Sequence, residues 1–219
     1  MSKSTLPATA TATAVLILAV LLAPLFEFRP LPAHMALHIM LMNVAAPLLA
    51  AVLVHKTAPA SGRAAMLWLI TTVQIVLLWA WHAPALQQQA MQSHGLQLVM
   101  HGSLFLVALC FWHALLRLPA AMRWQAIPAL LLTGKLACLL ATILIFAPRV
   151  LYTSPHADTA HWAAATLEDQ QLAGLLMITA CPLSYVVAAL IFAAQLVAAF
   201  GTASGASQRE MISSPRQVA

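Results

Sequence analysis

Charged side chains are scarce in this sequence: of 219 residues, 10 are Lys or Arg and 5 are Asp or Glu, together 7%, while 63% are apolar. A soluble domain carries roughly 25% charged residues. A chain so poor in charge cannot cover a globular surface with groups that water accepts, so a soluble enzyme, a disordered regulator and a nucleic-acid binder are all disfavoured. The basic residues are scattered singly and make no patch for nucleic acid. Three cysteines, Cys110, Cys138 and Cys181, are too few and too dispersed for a disulfide framework or a Cys-rich zinc site. The sequence also lacks a Walker loop, a G-x-S-x-G elbow, an H-E-x-x-H pair and a C-x-x-C pair. Nucleotide-driven, hydrolytic and thiol-redox chemistry are therefore unsupported, and an independent enzyme is not expected.

What the sequence does have is long apolar runs. A helix crossing the hydrocarbon layer needs about 20 mostly apolar residues, because only a helix closes its own backbone hydrogen bonds in lipid. Six stretches qualify: residues 6–26, 34–54, 64–81, 96–116, 127–147 and 172–200. The fold expected is an all-α, polytopic transmembrane helical bundle of about six spans, forming one domain over residues 1–200. A polar tail, residues 201–219, reads as disordered and cytoplasmic. Pro182 inside the last stretch predicts a kink or tilt. The first stretch follows Lys3 like a secretory signal, but Leu22-Ala23-Pro24-Leu25 offers no clean cleavage site.

With six spans, Lys3, Lys56, Arg63, Arg117, Arg123, Arg209 and Arg216 collect on one side, against Arg29 and Arg149 on the other. The excess of basic residues predicts that both termini are cytoplasmic, in a bacterial inner membrane. The outer side holds Glu27, Asp158, Glu168 and Asp169. Its one long loop, 149–171, is of a size that in a compact bundle is usually functional or mobile.

Nine histidines outnumber the five carboxylates, and seven of them fall on the outer side: His34, His38, His82, His94, His101, His156 and His161. Polar groups at membrane depth are costly and tend to mark ligand sites or ion paths. His34, His38 and Met42 stand at steps of four residues, so they share one helix face and descend about 12 Å along it. Imidazole nitrogen with thioether sulfur is a ligand set that suits copper, Cu(I) above all. His82 and His101 reach similar depth on neighbouring helices, so three helices can converge on one outer pocket. His38 and His101 are the core ligands expected, with His34, Met42, His82 and Asp169 as supporting candidates. Asp169 would close the pocket as a ligand or as an acceptor fixing a histidine tautomer, while the neighbouring Glu168 reads as a helix cap. Lys135 is the single formal charge at membrane depth and reads either as a buried pair or as a snorkelling side chain. Met35, Met40, Met91 and Met100 read as packing, and Cys138 and Cys181 as small apolar residues or soft metal stations.

Four blocks of this sequence resemble the CtaG family of membrane proteins associated with assembly of caa-type cytochrome c oxidase. They are Ala33-His34-Met35-Ala36-Leu37-His38 through Ala46-Pro47-Leu48-Leu49; Trp79-Ala80-Trp81-His82-Ala83-Pro84-Ala85-Leu86; His101 through Phe111-Trp112; and Leu167-Glu168-Asp169-Gln170-Gln171-Leu172-Ala173-Gly174-Leu175-Leu176-Met177. Together they span about two thirds of the chain. The pattern departs at Met100, where the family often has Glu, at His113, where it often has Trp, and at Ile178, again in place of Trp. The resemblance implies an oxidase assembly factor that binds or passes copper at the periplasmic face. Its implied partners are oxidase subunits, the lipid bilayer and a periplasmic copper donor, with no nucleic acid. Three other readings remain open from the residues alone: a single-haem b-type membrane cytochrome using His38 and His101, an ion or proton transporter using Lys135, Asp169 and the histidines, and a metal-free oxidase-binding scaffold.

Overall fold

The computed structural model describes residues 30–56, 64–152 and 166–213. The expected first span, 6–26, lies outside them, as do His156 and His161. Within the described residues the protein is all-helical. Helix α1 (Pro30–Met40) runs through a five-residue π turn (Leu41–Ala45) into α2 (Ala46–Lys56). There follow α3 (Ala64–Trp81), the short α4 (Pro84–Gln92), α5 (His94–Leu116), a 3-10 turn (Ala120–Gln125), α6 (Ala126–Phe146) and α7 (Leu167–Ser213). Five stretches are long and apolar enough to cross a membrane: Leu31–Val54, Ala64–Trp81, His94–Leu116, Ala120–Phe146 and Leu167–Gly201. These coincide closely with the last five spans expected.

Large apolar residues such as Leu98, Leu106, Phe146, Leu183 and Leu190 are exposed on the outside of the bundle, as a surface solvated by lipid requires. Lys135 is exposed on α6, so of its two expected settings the bundle interior is not the one it occupies. The tail differs from expectation: α7 continues to Ser213, well into the segment whose composition reads as disordered. Once a helix is formed, each added residue costs little, and Ala, Gln, Arg and Met in this stretch are good helix formers.

The most extensive packing is between α6 and α7. It depends on small residues: a Cβ built on Gly174 would come within 2.8 Å of Ile145 Cγ1 and 2.9 Å of the Ala141 carbonyl oxygen. Close backbone approach through Gly and Ala is how helices associate where lipid removes the hydrophobic drive. At the end of this pair Gln170, fully buried, acts as a clasp. Its side-chain oxygen accepts from Leu151 N at 2.7 Å, and its amide donates to the Leu144 and Arg149 carbonyls at 3.1 and 3.4 Å.

The first long helix changes partners at its π turn. Before it α1 packs on α7; after it α2 packs on α5. Pro47 explains the turn, because its ring clashes with the carbonyl four residues back and its nitrogen has no hydrogen to donate. In the wider register the carbonyl left without a donor is that of Met42. The Trp112 indole N–H of α5 donates to it at 3.0 Å.

Candidate metal centre

His34 and His38 come from successive turns of α1, His82 from the residue just after α3, and His101 from the second turn of α5. These ends converge. The His34 and His38 ring centroids are 4.4 Å apart, His34 and His101 4.8 Å, His38 and His101 4.6 Å, and His38 and His82 5.5 Å. His34, His38 and His82 are buried and His101 is half-buried. One ligand nitrogen from each of His34, His38 and His101 falls within 4.8 Å of the others.

Two tautomers follow from the hydrogen bonds. His82 Nδ1 lies 2.7 Å from the Leu78 carbonyl and His101 Nδ1 2.7 Å from the Gln97 carbonyl. A carbonyl only accepts, so each Nδ1 carries the hydrogen and each Nε2 presents a lone pair. Such backbone bonds orient metal-binding imidazoles in general. The Nε2 atoms of His34, His82 and His101, and both ring nitrogens of His38, are buried without a hydrogen-bond partner among the described residues. Leaving so many buried polar atoms unsatisfied is costly. A metal ion is the guest that satisfies several lone pairs at once. Two nitrogens on one ion at roughly 2.0–2.1 Å are at most about 4 Å apart, so the three-histidine group closes on an ion with small side-chain rotations.

The remaining candidates separate. Met42 is buried in the π turn and lines a small cavity deeper in the bundle, beside His38 and His82. Asp169 is placed elsewhere: it forms a reciprocal cap at the start of α7, its Oδ2 accepting from Thr166 N at 3.2 Å while Thr166 Oγ1 accepts from Asp169 N at 3.1 Å. Among the described residues the candidate group contains no carboxylate. Glu168 lies in the first turn, where an acid favours the helix dipole as expected, and Asp169, at the third helical position, is the side chain that reaches back in a capping box. Glu168 and His94 are exposed.

Several buried polar and sulfur residues at this end escaped sequence reasoning. Met35, read as packing, lines the cavity, as do Asn43, Met177 and Tyr185. Gln87 of α4 is fully buried, and neither of its amide atoms has a partner among the described residues. Tyr152 donates its hydroxyl to the His82 carbonyl at 3.0 Å and so pins the end of α3 to the segment after α6. One signal was available for α7: Met177, Cys181 and Tyr185 recur every four residues, the spacing that singled out His34, His38 and Met42.

The chain matches the model of the cytochrome c oxidase caa3 assembly factor family (Caa3_CtaG) over residues 7–199. No curated protein and no solved structure matches.

Proposed function

Because the chain belongs to the cytochrome c oxidase caa3 assembly factor family, we propose that it holds copper in the His34, His38, His101 group and passes it to the oxidase during maturation of a copper centre. His82 flanks the group and joins it as the ion enters or leaves. The single observation that carries this reading is the set of unpartnered, buried imidazole nitrogens converging from three helices. Neutral imidazoles with no carboxylate favour copper over magnesium or calcium, which take oxygen ligands. The basic-residue asymmetry supports an orientation with both termini cytoplasmic and the histidines at the periplasmic side, facing a periplasmic copper donor.

The single-haem alternative is disfavoured by geometry. The rings of His38 and His101 stand 4.6 Å apart at 70° to one another, which leaves no slot for a macrocycle between them. A metal-free scaffold is disfavoured by the cost of keeping the same nitrogens unpaired.

The test is made in cells, in a deletion strain carrying either the unaltered gene or a His38→Ala, His101→Ala double variant. Equal amounts of the two proteins in the membrane, with a copper-deficient oxidase in the variant strain alone, are the expected result. A fully metallated oxidase in the variant strain would leave scaffolding as the function.

A further inference from the structure

The histidine cluster is not the end of the ligand-bearing interior. Deeper along the same helices is a cavity of about 20 Å³, enough for one water-sized guest. Two faces meet across it. One is His38 and Met42, four residues apart on the first long helix; the other is Met177, Cys181 and Tyr185, at the same four-residue steps on α7. Met35, Met42, Met177 and Cys181 are all buried, so four sulfur atoms belong to residues walling one small space, three of them on the two facing stripes.

An ordinary apolar void would be lined by hydrocarbon alone. This one receives His38, 4% exposed, with neither ring nitrogen partnered. It also receives Asn43, whose buried Oδ1 has no hydrogen-bond partner among the described residues. Among the described residues no carboxylate lines it. Its far wall is Tyr185, whose ring is stacked on Trp112 at 5.7 Å between centroids and whose hydroxyl oxygen accepts a hydrogen bond from Gln74 Nε2 at 3.1 Å. Tyr185 is therefore held in place, and the lining sets sulfur residues beside imidazole and neutral oxygen donors.

We propose that this cavity is a second binding site, specific for a soft monovalent ion such as copper(I), formed by the Met42 and Met177 thioethers and the Cys181 sulfur, with His38 shared between it and the histidine group. The proposal rests on the histidine reading above for its entry route but adds a separate set of ligands. Sulfur selects Cu(I) over the divalent ions that imidazole alone would admit. The ion keeps its oxidation state throughout. Binding breaks the Cys181 S–H bond and forms a copper–sulfur bond, with the proton released to solvent; the product is a neutral copper thiolate, the charge state that a low-dielectric interior accepts. A neutral imidazole offers one lone pair, so His38 belongs to the histidine group when both sites are filled and turns to the sulfur site only as an ion passes; the ion then exchanges ligands one at a time instead of crossing the gap free.

The test uses the full chain, purified in detergent and loaded anaerobically with Cu(I) against a chromogenic Cu(I) chelator, with copper-edge X-ray absorption on each sample. Three proteins are compared: unaltered, a Met42→Leu, Met177→Leu, Cys181→Ala variant that roughly conserves core volume, and a His34→Ala, His101→Ala variant. Thermal unfolding of each reports whether it is folded. The proposal expects two ions in the unaltered protein, with mixed nitrogen and sulfur scattering, and one ion in each variant. The ion kept by the sulfur variant should show nitrogen scattering, and the ion kept by the histidine variant should include sulfur. One ion with nitrogen ligands only, unaffected by the sulfur substitutions, would overturn this site and leave the histidine reading standing. A single ion of mixed ligation lost in both variants would overturn the idea of two sites. No ion in the unaltered protein would overturn both readings.

Discussion

At the scale of single residues, hydrogen bonds that the fold cannot replace hold the site in place. The Trp112 indole serves the Met42 carbonyl that the π turn strands, so Trp112→Phe leaves that buried acceptor unsatisfied. The expected cost is about 1–3 kcal/mol of stability, read as a lower thermal midpoint in detergent. Tyr152→Phe removes one bond to the His82 carbonyl. It should cost about 0.5–1.5 kcal/mol and weaken Cu(I) retention measurably, because the end of α3 is then free to swing His82 away. The convergence of His34, His38, His82 and His101 was legible because helical spacing and depth are read directly from a membrane sequence. Asp169 could not be assigned from sequence because both capping and metal binding call for an acid at the same place; the reciprocal bonds with Thr166 show the cap. Cys181 was left between packing and a soft metal station, and Met177 was passed over, because apolar spans use such residues as ordinary packing and nothing in one sequence says which face of α7 turns inward.

At the scale of elements, α6 and α7 are held by close approach at Gly174, where an added Cβ would meet backbone oxygen at 2.9 Å. A backbone atom cannot move aside as a flexible side chain can. Gly174→Ala is therefore expected to cost about 1–3 kcal/mol through overpacking, seen as earlier unfolding of the purified protein. The five described spans were legible to within a few residues because a scarcity of charge marks membrane segments sharply. The π turn was not, although Pro47 was in plain view: a proline within a helix can kink it, end it or widen it, and the choice depends on whether a partner such as Trp112 is present to take the stranded carbonyl. The helical continuation of α7 to Ser213 was hidden for a similar reason, since composition weighs residues singly and ignores the formed helix they extend.

At the scale of the whole molecule, a bundle with an apolar exterior carries its polar chemistry at one end, where residues from α1, α3 and α5 meet. The orientation proposed for that end predicts that a fluorescent-protein fusion after Ala219 is bright and a periplasmic phosphatase fusion at the same point is inactive; the reverse pattern would put the histidines on the cytoplasmic side. The central claim, that the histidine group is a copper site, is tested most directly by the metal content of the purified protein after anaerobic Cu(I) loading, run beside the His38→Ala, His101→Ala variant. Copper retained by the unaltered protein against a competing chelator, and lost from the histidine group in a variant that still unfolds cooperatively, is the result predicted. Equal retention in the two proteins, with no change in nitrogen ligation, would contradict it.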